Sequence, residues 1–164
     1  MTPSFRAPVA LLATALAWSA PAAAQDATVS MEGRCEKLVI AGQDITRNCK
    51  ETLVNTVSRN RTAFDFAAWD GQFVSFSGAG PQQERTEETD ALQPISLVVP
   101  GKRDKDGIVR NPAPAVGSCR FSTPEPGKTQ IACEATSQGK TYAGTFVTAT
   151  KTAPDGTEPS PAPK

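Results

Sequence analysis

Histidine is absent from this 164-residue chain. That absence excludes a Ser-His-Asp triad, a Cys-His nucleophile pair and any histidine-ligated metal site. A surplus of either charge is missing too, with 17 basic residues facing 17 acidic ones. Nucleic acid and anionic membrane both call for a basic surface, so neither is an expected partner. Aromatic side chains make up only 6% of the chain, and apolar runs long enough to cross a bilayer are absent. There is no C-x-x-C spacing for redox chemistry. No cofactor or metal is expected from this inventory.

The one long apolar stretch is at the start. Arg6 precedes the apolar residues 7–20, and Ala22-Ala23-Ala24 forms an A-x-A cleavage pattern before Gln25. Residues 1–24 therefore read as a cleaved signal peptide, and the protein as periplasmic or secreted. No cysteine adjoins the cleavage site, which argues against a lipid anchor there. Residues 25–152 read as a single β domain. Residues 153–164, with four prolines and no large apolar side chain, read as a disordered tail.

Beyond the signal, Val, Ile, Leu, Met, Phe, Trp and Tyr number only 28. So thin a core favours covalent staples. Cys35, Cys49, Cys119 and Cys133 supply them, and an exported chain meets an oxidising space. Each sequential pair is separated by 14 residues and flanks a turn-forming centre, residues 41–44 in one case and 124–128 in the other. A hairpin places residues equidistant from its turn side by side. The spacing predicts Cys35–Cys49 and Cys119–Cys133, against the rival of cross-pairing. Each bridge would contribute about 3 kcal/mol in the chain-entropy account.

The rest of the chain reads as strands. Val29, Met31, Gly33 and Cys35 alternate, then Leu38 and Ile40 resume on the other parity, which predicts a bulge or bend between. Residues 45–57 carry Ile45, Cys49, Leu53 and Val57 on one parity and favour strand over helix. Residues 62–78 form the clearest hairpin. A three-residue loop, Trp69-Asp70-Gly71, pairs Phe66 with Val74 and Phe64 with Phe76, keeping the apolar set on one face. Trp69 then sits at the loop tip. The expectation is that it folds back as a lid on the core, with an exposed binding contact as the alternative. Residues 79–90 read as a solvated acidic loop containing Glu84, Glu87, Glu88 and Asp90. Ile95, Leu97 and Val99 alternate in a strand over 91–99, with Pro94 marking an edge or strand start.

Residues 100–117 read as a long irregular loop holding Lys102, Arg103 and Lys105. Its D-x-D-G fragment fails the calcium-loop pattern, whose first and last ligand positions would fall on Lys102 and Ala113. Three short strands follow, over 116–122, 129–136 and 141–149.

Seven to eight strands with two hairpin disulfides and no convincing helix predict an all-β fold, a small antiparallel barrel or sandwich. The expected function is an exported, non-enzymatic β domain, a monomer that binds an unknown protein or small ligand. Trp69, Lys102, Arg103 and Lys105 are the candidate contacts. Phe64, Phe66, Phe76, Phe121 and Phe146 would either line a ligand cavity or fill it, and filling is the expectation. An alternative is an inhibitor of a secreted hydrolase, presenting residues 25–31 or the 100–117 loop. A second alternative is a carboxylate-based hydrolase drawing its paired acids from Asp65 and Asp70 near the hairpin or from the acids clustered over 84–90.

Overall fold

The computed structural model describes residues 27–80, 82–86 and 90–149. The expected signal peptide and C-terminal tail lie outside the described residues, as do Glu87 and Glu88. Ten strands run in chain order: β1 (Ala27–Ile40), β2 (Gln43–Asp44), β3 (Cys49–Ser58), β4 (Arg61–Ala68), β5 (Gln72–Ala79), β6 (Ala91–Asp104), β7 (Gly107–Arg110), β8 (Ala113–Ser122), β9 (Gln130–Ser137) and β10 (Lys140–Thr148). Every pairing between them is antiparallel.

Eight of these strands close a barrel in the order β1-β3-β4-β5-β6-β8-β9-β10, with β10 returning to β1. The fold is thus a barrel and not a sandwich. Closure depends on β1 serving two neighbours in turn. Residues 27–32 pair with β3, and residues 33–39 pair with β10. Such a stagger is what lets a twisted sheet meet its own first strand. The phase change expected in β1 occurs at Glu36, an extra residue between the Cys35–Phe146 and Lys37–Thr145 pairs. It turns Leu38 and Ile40 into the core.

The phenylalanine hairpin has the expected register, Phe64 opposite Phe76 and Phe66 opposite Val74. Gly71 takes the left-handed conformation, with φ 86°, that the three-residue loop requires. Phe66, Phe76 and Phe146 are fully buried with Leu38, Leu53 and Val98, and Phe66 meets Phe76 edge-on with ring centroids 5.7 Å apart. Phe64, Phe66, Phe76 and Phe146 are buried in the barrel's interior, with Phe121 partly buried against them.

Both disulfides join the expected partners. Cys119 and Cys133 are direct cross-strand neighbours in the β8–β9 ladder. Cys35 and Cys49 stand three residues past the last β1–β3 pair, Glu32–Thr52, and tie the strands together where their ladder has ended.

Three expectations need correction. The strand expected over 45–57 begins only at Cys49, because Thr46–Asn48 form a 3-10 turn. Asp44 accepts hydrogen bonds from the Thr46 amide and hydroxyl, and the Thr46 hydroxyl in turn accepts one from the Leu38 amide. These local bonds outcompete strand propensity. The alternation of Ile95, Leu97 and Val99 is broken at Ser96, where the β6–β8 register shifts and the two β8 residues Ala115 and Val116 stand against it, so the inward set is Gln93, Ile95 and Val98. Pro94 is the fourth residue of β6 and pairs with Ser118 on β8, beyond the last β5–β6 pair at Ser77–Leu97. Its missing N–H therefore falls near a strand start, as expected.

The third correction is the largest. Residues 100–117 are not irregular. They form the end of β6, a tight turn at Lys105-Asp106, β7 and the start of β8. The D-x-D-G fragment is the turn itself, where the Asp104 carboxylate accepts a hydrogen bond from the Asp106 amide at 2.9 Å.

Candidate functional site

The alternating strand directions sort the connections between two barrel mouths. Residues 41–48, the 69–71 loop, the β6–β7 turn and the Gln138-Gly139 turn share one mouth. The Arg59-Asn60 turn, residues 82–86 and the 123–129 loop share the other, together with Ala27 and Ala149.

The first mouth gathers the candidate contacts. Trp69 is 73% exposed, so the expectation that it lies as a lid on the core is overturned. The barrel interior is already filled, and the three-residue loop carries the indole past the rim. Its amide donates to the Asn48 carbonyl at 2.8 Å, which fixes the loop against the 3-10 turn. The Lys50 ammonium lies 5.1 Å from the indole centroid, a cation–π distance. On the next loop position, Asp70 accepts hydrogen bonds from the Gln72 amide at 3.1 Å and from its side chain at 3.0 Å. Those bonds hold the Asp70 carboxyl below its ordinary value, the side-chain bond contributing most.

Lys102 pairs with Gln72 across the β5–β6 ladder, and the Arg103 amide donates to the Gly71 carbonyl at 2.8 Å. Trp69, Lys102 and Arg103 thus come from neighbouring strand ends. Lys105 lies one turn further, at the tip of the β6–β7 hairpin. Arg110 on β7, which sequence reasoning missed, stacks 5.9 Å over the Phe73 ring. Ile108 and Val109 on β7 are 46% and 57% exposed.

The mouth carries Lys50, Lys102, Arg103, Lys105 and Arg110 beside Asp70, Asp104 and Asp106. None of the four ion pairs among the described residues involves Lys50, Lys102, Arg103, Lys105 or Arg110. An exposed indole with a lysine over its ring and further cations on the neighbouring strand ends can contact an anionic or aromatic surface.

Other candidates do not converge. Asp65 lies on β4 between Val54 and Ser75, on the parity opposite to the buried Phe64 and Phe66. Glu84 is exposed in the segment that Arg85 and Asp90 brace through a 3.1 Å ion pair. No cluster of three or more metal-ligating acids or cysteines occurs among the described residues, and no helix there is long and apolar enough to cross a membrane. A shallow groove on the outer face, lined by Lys37, Val39, Val116, Glu134 and Thr141 among others, holds no comparable gathering of cations and aromatics. Compared with protein-family models, curated proteins and solved structures, the chain matches none of them.

Proposed function

We propose that this chain is an exported, non-enzymatic binding barrel that engages a protein partner through the mouth carrying Trp69. The supporting observation is Trp69 itself, a large aromatic side chain left outside the buried core with the Lys50 ammonium over its ring. Such residues are over-represented among those that dominate binding energy at interfaces. The two disulfides are compatible with a periplasmic or extracellular location. A filled interior favours a partner at the surface over a small ligand carried inside.

The inhibitor reading loses one of its two elements at this mouth. Residues 27–31 run toward the opposite end from the β6–β7 hairpin, so the two cannot address one active site together. The hairpin alone remains as a rigid element for it.

Site-specific photo-crosslinking tests the proposal. A photoreactive aromatic residue replaces Trp69 in the full chain, expressed in its own host, and a second variant carries it at Val57 near the opposite mouth. A discrete protein adduct is expected from position 69 and not from 57. Equal adducts from both positions, or none from 69, would overturn the reading. Inhibition of a secreted hydrolase that Trp69→Ala leaves unchanged would move the function to the hairpin tip.

A further inference from the structure

The β6–β7–β8 hairpin overhangs the barrel. On one side, β5 supports β6 only as far as Lys102. On the other, β9 begins to pair with β8 only at Val116. β7 and the start of β8 keep one register against β6, from Asp104–Gly107 to Val98–Ala113, so residues 107–115 form one continuous strand edge. Among the described residues, β7 has no partner except β6.

The direction of each backbone group along that edge follows from antiparallel geometry. Asp104 and Gly107 flank a two-residue turn, and such a pair exchanges hydrogen bonds. Asn111 has the same parity as Gly107, and its amide does donate inward to the Pro100 carbonyl at 2.9 Å. Arg103 has the other parity, and its amide points away from β7 to Gly71. Ile108 and Arg110, opposite Arg103 and Gly101, must therefore direct their N–H and C=O groups to the open side.

The next residues of that parity are Pro112 and Pro114. Their missing N–H groups fall on the open side, where the β6 ladder needs none. The Pro114 carbonyl is occupied, accepting a hydrogen bond from the Ser137 hydroxyl at 2.6 Å. Prolines thus blunt the edge along β8, the usual protection of an exposed strand. The same protection stops at β7, which presents Ile108 and Arg110 unguarded.

We infer that β7 receives an extended acidic peptide segment of a partner protein as an added strand. This rests on the binding-module reading and names its mode. Charge complementarity selects the occupant. The overhang carries four cations, Lys102, Arg103, Lys105 and Arg110, against the two acids Asp104 and Asp106, and none of the four makes an ion pair at contact distance. Main-chain pairing to Ile108 and Arg110 supplies the register, and alternate carboxylates of the peptide fall on the face that carries Arg103 and Arg110. With two outward residues available, the added strand is short and its exchange fast.

The test uses the exported full-length protein and a blocked ten-residue peptide of alternating glutamate and valine, followed by amide hydrogen exchange in NMR. In the free protein the Ile108 and Arg110 amides should exchange quickly while Val109 and Asn111 are protected. Peptide should protect Ile108 and Arg110 selectively. A lysine–valine peptide should not, nor should the acidic peptide N-methylated on alternate residues along the edge that meets β7. Ile108→Pro removes one outward donor, as Pro112 and Pro114 already do, and should weaken binding about tenfold. The N-methylated peptide needs no variant, so the result does not depend on that substitution folding.

Equal binding of the lysine–valine or N-methylated peptide would overturn the inference. So would protection that rises with protein concentration alone, which would assign the edge to a second copy. Crosslinking at position 69 without protection of Ile108 would sink strand addition and leave the binding mouth standing. Protection at Ile108 with no adduct at 69 would do the reverse.

Discussion

Trp69 and Gly144 show how the same barrel treats two residues in opposite ways. The Trp69 loop is held by backbone bonds to Asn48 and by the capped Asp70, so the indole is presented by a fixed support and not by a floppy tip. Gly144 is the reverse, an inward position where no side chain fits. A β-carbon there would stand 2.8 Å from the Phe66 ring, which is itself wedged against Phe76. Gly144→Ala should therefore destabilise the fold by about 1–3 kcal/mol, the usual cost of overpacking a filled core. Urea denaturation would register this as a lower midpoint at unchanged slope. An unchanged midpoint would mean that the Phe66 ring is freer than its burial indicates.

At the scale of elements, the two staples share a spacing but not an environment. Cys119 and Cys133 are fully buried within a continuous ladder, whereas Cys35 and Cys49 are partly exposed past a ladder's end. Thiol attack requires access. Mild reductant applied to the native protein should free Cys35 and Cys49 first, and alkylation read by peptide mass spectrometry would show the order. Simultaneous release would mean that reduction proceeds only through global unfolding. Hairpin registers and both pairings were legible in the sequence because each depends on residues within a short span. The register shift at Ser96 was not, since two β8 residues standing against one of β6 show themselves only once the strands are paired. Nor was the 100–117 hairpin, whose charged overhang carries no apolar alternation to reveal it.

For the molecule as a whole, closure of the barrel brings the loops and turns of the described residues to two mouths. With no histidine in the chain and both cysteine pairs bridged, no side chain ordinarily titrates between about pH 5 and 8. Hydrogen bonds from Gln72, Thr46 and Lys128 hold Asp70, Asp44 and Glu125 below their ordinary values of 3.8, 3.8 and 4.5. A carboxyl whose folded pKa is depressed adds stability above its unfolded value, and that stability disappears as pH falls through the folded one. The denaturation midpoint should therefore be flat from about pH 5 to 8 and decline only in acid below the ordinary carboxylate range. A fall beginning near pH 6 would contradict this.

By itself the sequence determined the local pairings: an all-β chain, the phenylalanine hairpin with its Gly71 loop, and two bridges across 14-residue spans. These follow from alternation and turn chemistry, which act between residues close along the chain. Only the tertiary structure decided that β1 passes from β3 to β10 and closes a barrel. Closure in turn set which loops share a mouth, left Trp69 outside a core already full, and carried β7 past the rim with one edge open. Each of these depends on where non-adjacent strands stop pairing, a property of the assembled sheet and not of any one segment.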